Sequence, residues 1–513
     1  MDSGEAPVVP VSPSATAEIP RARTPAFWAA AGLVLLLAVT LGIATAPATR
    51  LRHIRSLLPS PASSFLSILR RPSALTPMAP WKTAGWPWGK PIVPSPTRPP
   101  CVLWMAPFLS GGGYSSEAWS YITALSRMME EMENPPIRLT IDQHGDLGNP
   151  EFWAGLSETD KSLARRLYAV ECPPAETVVV CHSEPGAWAP SLFQTTPCPP
   201  GGAYAAALAV VGRTMFETDR VEPEHVRRCN RMDAVWVPTE FNAATFVGSG
   251  VEASKVVVVA QPVDVYFFDP SRHRPLTLPS GDPVLPPANA HRRGSFVFLS
   301  IFKWERRKGW DLLLGAFLQE FSAADGVSLY ILTNPFHDGG GGGEIRRRIS
   351  EFVTAAGLAA PEEGWAPVYL LEAHIPQVEL PRLYKAADAF VLPSRGEGWG
   401  RPLVEAMAME LPVIATNWSG PAEFLTAENS YPLPVDRMSA VGEGPFKSHL
   451  WAEPSVAELR ALMRRVVRSP EEARRRGRRA REDMVRRFSP AVVASQVVDQ
   501  VLRVSRVRQP MSA

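Results

Sequence analysis

Four charged side chains in the second half of the chain have the types and spacing to hold a polyanionic ligand. Glu397 and Glu405 stand eight positions apart in FVLPSRGEGWGRPLVEAMAMELPVIATNWSGPAEF, residues 390–424. Between them a turn carrying Gly396, Gly398 and Gly400 runs into a helix expected to begin at Pro402. Glycines let a ligand approach the backbone, and a helix start offers unpaired N–H groups to an anion. Lys303 and Lys308 lie in FKWERRKGWDLLLGAF, where an expected strand gives way to an expected helix, so both ammonium groups can meet a diphosphate; Arg306 and Arg307 are spare donors. Taken singly, each of these residues fits an ordinary strand-to-helix connection with solvated carboxylates. The spacing of the whole run points to a nucleoside-diphosphate seat.

The elements that must position these groups read as two α/β series. The first, over 100–265, has short apolar strands at 102–106, 137–141, 177–180, 207–211, 234–237 and 255–260, with Gly111, Gly112 and Gly113 as a tight turn before a helix at 116–129. The second, over 295–455, has strands at 295–301, 327–333, 368–371, 390–392 and 413–416, with helices at 311–321, 345–356 and 378–387. Apolar strands alternating with helices imply parallel, doubly wound sheets. Residues 266–294, rich in proline, read as a linker, 339–343 as a flexible glycine tip, and 456–513 as basic helices whose default is a solvated face.

At 513 residues the chain is long enough for two domains with appendages, and a net charge of +2 gives no global signal for nucleic acid. Residues 1–25 have the composition of a disordered tail. Residues 26–47 are free of charge and apolar for about the length that crosses a bilayer, which predicts a single membrane anchor. The alternative is a signal peptide cleaved after Ala44-Thr45-Ala46, against which stand Asp2, Glu5 and Glu18 upstream and Pro47 downstream. Arg50, Arg52 and Arg55 outnumber Arg21 and Arg23, a slight preference for a cytosolic catalytic side that does not settle orientation. Residues 48–99, dense in proline, read as a stem.

Five cysteines show neither zinc spacing nor a disulfide framework, with Cys172 and Cys198 the pair considered for an oxidising lumen. His182, in VVVCHSEPGAW at a strand end, is a candidate active-site group against a structural alternative.

The run KGWDLLLGAF, LPRLYKAADAFVLPSRGEGWGRPLVEAMAMELPVIAT and GPAEF resembles the retaining, NDP-sugar-dependent glycosyltransferases of family 4, and RMDAVWVPTEFNAATFVGSGV with KVVVVAQPVD is similar to the end of that family's first domain. The resemblance covers about 100–430. It implies the GT-B fold of two facing Rossmann-like domains, here behind a transmembrane helix and stem. By resemblance Glu405 would hold the donor ribose, Glu397 the donor sugar, and Lys308 the pyrophosphate, with Gly398 and Gly400 in the donor loop. Lys303 stands where the family usually has an arginine, which keeps the charge but loses the bidentate fork. Gly112 and Gly113 resemble a loop near the donor phosphates, and Glu217 sits where many members place a histidine beside the transferred sugar. No metal or other cofactor is expected, since the cations neutralise the leaving diphosphate. The expected partners are a nucleotide sugar, an unidentified glycan, protein or lipid acceptor, and a membrane, with a single-pass Golgi or other endomembrane location. A phosphorylase and a non-catalytic scaffold on the same architecture are the competing functions.

Overall fold

The computed structural model describes residues 98–279, 283–285, 296–335, 342–371, 375–442 and 444–507. The expected tail, anchor and stem up to residue 97, and the glycine tip at 339–341, lie outside the described residues. Among the described residues no helix is long and apolar enough to cross a membrane.

The first sheet consists of β1 (Cys101–Ala106), β2 (Arg138–Gln143), β3 (Thr177–His182), β4 (Ala209–Arg213), β5 (Ala234–Val237) and β6 (Val256–Val258). They pair in parallel in the order β2-β1-β3-β4-β5-β6. Every residue of β1, β3 and β5 is buried, as expected of strands with helices on both faces. The second sheet consists of β7 (Phe296–Trp304), β8 (Val327–Pro335), β9 (Val368–Leu371), β10 (Ala389–Leu392), β11 (Val413–Thr416) and β12 (Tyr431–Leu433). Its parallel order is β12-β11-β10-β7-β8-β9. Counted from β7, this is the Rossmann order 3-2-1-4-5-6, whose direction reverses between β7 and β10. Ligands bind doubly wound sheets outside the strand ends at that reversal. Lys308 follows β7 and Glu397 follows β10, so the two halves of the candidate seat meet there.

Differences from the sequence expectation are local and have physical causes. β7 and β8 stay paired from Phe296↔Val327 to Trp304↔Pro335, so Lys303 lies inside the strand end rather than past it. An antiparallel hairpin, β13 (Val435–Ala440) with β14 (Leu450–Pro454), follows the second sheet. β13 is largely exposed and lacks an apolar alternation, so nothing in its residues announced a strand. The linker docks along the second domain: Leu276 N–H donates to Arg382 O at 2.9 Å and Val284 N–H to Val368 O at 2.8 Å. The helix Pro490–Val507 packs on the helix Gly113–Glu130, so this segment belongs to the first domain and is not a separate solvated helix.

The cysteine pairing also differs. Cys101 is bonded to Cys172 and Cys181 to Cys198, while Cys229 is free and buried. Cys101 opens β1, and the helix Glu158–Tyr168 brings the chain back beside that strand before Cys172. Cys181 and Cys198 are joined because the loop after β3 folds back over the strand end, with Ala189 N–H donating to Cys198 O at 2.8 Å. The pair considered from sequence, Cys172 with Cys198, is therefore not formed: each is bonded to a cysteine of a different strand.

Candidate active site between the two sheets

The second-domain half is built on two turns tied together by a buried arginine. Arg395 donates to both oxygens of Asp311 at 2.8 and 2.7 Å, to Glu453 at 3.0 Å and to Arg306 O at 2.7 Å. This locks the loop after β10 to the turn after β7. Gly309 (φ 68°) makes the contact between them possible: a Cβ there would lie 2.1 Å from Pro393 O. The helix Trp310–Glu320 starts at that glycine, with Lys308 at its mouth.

Lys308 Nζ lies 2.8 Å from each oxygen of Glu397. Arg307 Nη1 donates to Gly396 O at 2.8 Å and reaches Glu397 Oε2 at 3.4 Å, while its Nη2 donates to Glu305 at 2.7 Å. Burial would raise the Glu397 carboxyl, but the adjacent Lys308 and Arg307 charges hold it below the usual range. Glu397 N–H also donates to Ser419 Oγ at 2.9 Å. Glu405, in the helix Arg401–Ala408, accepts from the Tyr384 hydroxyl at 2.9 Å. Burial pushes its carboxyl up, opposed by Arg401 and by that hydrogen bond. Arg401 Nη1 is buried and has no hydrogen-bond partner among the described residues. Lys303 is exposed on β7.

The first domain meets this half directly. A Cβ on Gly396 would sit 2.0 Å from Glu217 O, and one on Gly398 would sit 2.6 Å from Met215 Sδ. Only glycine allows so close an approach at these two positions. Arg307 Nη1 is 3.9 Å from Glu217 Oε1, so one guanidinium faces carboxylates from both domains. Gly112 caps the helix Gly113–Glu130, and two residues on, Tyr114 hydrogen-bonds Thr214 Oγ1 at 3.2 Å and Met215 O at 3.3 Å. Gly112 and Gly113 are thereby linked through Met215 to Gly398. A side chain on Gly113 would meet nothing within 4 Å. Asp146 and Glu184 join Glu217 at this edge, and burial together with Asp146 and Glu217 raises the Glu184 carboxyl.

His182 is placed differently. It has no exposed surface, and Trp104 Nε1–H donates to its Nδ1 at 3.0 Å. The proton therefore sits on Nε2, which faces Glu117 Oε2 at 3.0 Å. Burial keeps the imidazole neutral, pushing its pKa down. Glu117 in turn takes two hydrogen bonds from Arg213, at 2.9 and 2.5 Å. His182 is thus part of a buried chain beneath Tyr114, whose ring it meets edge-on at 5.8 Å.

The site therefore gathers Glu397, Lys308, Gly398 and Gly400 with Glu217, sets Glu405 one helical turn away, and leaves His182 in the layer below. Sequence reading passed over Tyr384, Arg395, Arg401, Ser419, Tyr114 and the Glu117–Arg213 pair. Tyr384 sits inside LYKAAD, a usable signal; Ser419 shows itself only in three dimensions, as a buried residue with φ 59°. That hydroxyl belongs to the sequon Asn417-Trp418-Ser419, of which Asn417 is exposed.

Residues 293–441 match the glycosyl transferases group 1 family. Among characterised proteins, 102 residues are 36% identical to O-antigen chain mannosyltransferase B of Escherichia coli, covering 20% of this chain and 26% of that one. A longer stretch of 264 residues is 28% identical to D-inositol 3-phosphate glycosyltransferase of Corynebacterium kroppenstedtii, covering 47% and 55%. The chain thus spans 26% and 55% of the lengths of these two relatives. Anabaena HepE, solved in complex with UDP and glucose, superposes with a TM-score of 0.51 at 15% identity, over 79% of this chain and 100% of that one. That likeness is one of fold: two parallel-sheet, Rossmann-like domains in the GT-B arrangement.

Proposed function

We propose that this chain, a group 1 glycosyltransferase of the GT-B arrangement, moves a sugar from a nucleoside-diphosphate sugar to an acceptor hydroxyl with retention of anomeric configuration, as family 4 enzymes do. The observation that carries the reading is the Lys308–Glu397 pair at the reversal point of the second sheet, with Glu405 one helical turn further on. The sugar's anomeric C–O bond to the diphosphate breaks while the acceptor oxygen bonds to the same face. The acceptor proton passes to a diphosphate oxygen. Lys308 and Lys303 offset the charge that grows on the leaving group, and the helix mouth at Gly309 adds its N–H groups. Glu405 takes the ribose diol, Glu397 the transferred sugar's hydroxyls, and Glu217 borders the sugar from the first domain. No step in this reading draws on a metal.

The solved relative's UDP and glucose make UDP-glucose the first donor to test. The acceptor side is the first domain's strand ends, and the acceptor is a glycan, protein or lipid hydroxyl. The two cystines of the first domain support a catalytic side in an oxidising endomembrane compartment, against the slight opposite lean of the charges around residues 26–47. A panel of nucleotide sugars is assayed for thermal stabilisation of the protein and for release of the nucleoside diphosphate. One donor should act, and both effects should vanish in Lys308→Ala and Glu405→Ala; absence of binding to every nucleotide sugar would make the chain a scaffold. Product with inverted configuration would sink the retaining assignment.

A further inference from the structure

Lys308 cannot serve a diphosphate and Glu397 on the same terms. Its ammonium stands 2.8 Å from both carboxylate oxygens, and the Glu397 side chain is only 7% exposed. A buried carboxylate stripped of its cation is strongly disfavoured. A donor that drew Lys308 towards its phosphates would leave Glu397 in that state unless a second cation took over. One is in place. Arg307 holds Glu397 Oε2 at 3.4 Å and is fixed from behind by Glu305 at 2.7 Å and by Gly396 O at 2.8 Å. Its guanidinium is always charged and its planar fork is rigid, whereas the lysine stem is flexible and can swing. The pair therefore divides the work: one cation is free to move and the other is held.

Arg307 also faces Glu217 of the first domain at 3.9 Å. Glu217, Glu305 and Glu397 all favour its charged form, against the cost of its burial. An acid at position 217 beside a diphosphate is otherwise repelled, and the same guanidinium answers that charge too.

We infer that Arg307 is a positioning residue that takes over the charge of Glu397 when Lys308 turns to the donor diphosphate, and that screens Glu217 from it across the cleft. The inference rests on the proposed donor site. It makes a sharp statement about epistasis. In Arg307→Gln, Lys308 stays committed to Glu397 and the diphosphate keeps only Lys303 of its two cations; removing the Glu397 charge as well releases Lys308 again.

The test is calorimetric binding of UDP, with GDP and ADP in parallel, to the wild-type protein and to Arg307→Gln, Arg307→Lys, Glu397→Gln and the Arg307→Gln/Glu397→Gln double variant. UDP lacks the transferred sugar, so loss of Glu397's contacts to that sugar does not enter the measurement. Arg307→Gln is expected to weaken binding about tenfold, the size of one lost charge-assisted contact. The double variant should return to within about threefold of wild type, and Arg307→Lys should retain most of the affinity. Losses that add in the double variant, or wild-type affinity in Arg307→Gln, would overturn the inference. Should Arg307→Gln fail to fold, the decision passes to Arg307→Lys, for which a full tenfold loss overturns it. Failure of the donor reading itself is seen separately, as wild-type protein that binds none of the three nucleotides, and it removes both.

Discussion

If Glu405 takes the donor ribose as proposed, its buried carboxyl ties donor binding to pH. Burial lifts its pKa above the ordinary glutamate range, while Arg401 and the Tyr384 hydroxyl favour the ionised form. Ribose hydroxyls donate to a carboxylate, so donor binding strengthens as pH rises through that raised value. Tyr384→Phe removes a hydrogen bond that favours ionisation, so the acid limb should move to higher pH. At neutral pH UDP affinity should fall about three- to tenfold. UDP affinity titrated against pH in the two proteins checks this; an unmoved limb assigns Tyr384 to packing alone. Arg401→Met should also weaken UDP, because its buried Nη1 lacks a partner that a ligand oxygen can supply. The Glu117–Arg213 pair makes a different prediction. Burial raises the Glu117 carboxyl, but Arg213 and His182 more than offset it and hold the value at about 2. The folded pKa is depressed, so the pair's stability is present above the ordinary glutamate value and is lost as pH falls towards about 2. Arg213→Met should cost about 3–5 kcal/mol at neutral pH by urea denaturation, and less at pH values nearing that limit. At this scale the meeting of Lys308 with Glu397 was foreseeable, because both follow apolar strands of one doubly wound sheet; their roles toward a donor belong to the proposed function. Arg307 was not legible: in ERRK it reads as a spare charge, and only the approach of Glu217 from another domain gives it a task.

At the scale of elements, eleven of the twelve strands of the two parallel sheets were readable because buried parallel strands are short unbroken apolar runs; β12 (Tyr431–Leu433), three residues with a central proline, was not. Strand ends were less readable, as β7 shows by carrying Lys303 within its pairing. The hairpin β13–β14 was not readable at all, yet it connects the loop after β10 to the first domain. Glu453 on β14 holds Arg395, while Leu450 N–H donates to Asp219 at 2.6 Å and Asp219 N–H returns to Leu450 O at 3.0 Å. Just before β14, His449 is buried with Nδ1 at 2.8 Å from Thr218 Oγ1 and Nε2 at 2.8 Å from Glu222. The hairpin therefore braces residues 218–222, next to the point where Gly396 touches Glu217. His449→Ala leaves the buried Thr218 hydroxyl and the Glu222 carboxylate without that partner and should cost about 1–3 kcal/mol. Amide exchange should speed up over 216–222 and 446–452 while the central strands β3 and β10 keep their protection; uniform loss of protection would mean the hairpin is integral to global folding instead.

Across the whole molecule, the GT-B reading depends on the two sheets acting as one cleft, and the cystines bear on where such a molecule can work. Both lie in the first domain, one closing a separation of 71 residues and the other of 17. The Cys181–Cys198 bond ties the loop after β3 to the strand that carries His182 and leads to Glu184, so its loss acts on the first domain and not on the Lys308–Glu397 pair. A closed loop of that shorter length contributes roughly 3 kcal/mol by restricting the unfolded chain. Cys181→Ser/Cys198→Ser should therefore lower stability by about that amount while UDP affinity stays near wild type. Alkylation under native, non-reducing conditions should leave all five cysteines unlabelled, four by bonding and Cys229 by burial. Denaturation without reductant should expose Cys229 alone. Labelling of Cys101, Cys172, Cys181 or Cys198 in denatured, unreduced protein purified from its own compartment would show that these thiols are not bonded there. The catalytic side would then face a reducing compartment, as the arginines after residue 47 suggest. Protected thiols would make those arginines a poor guide to orientation.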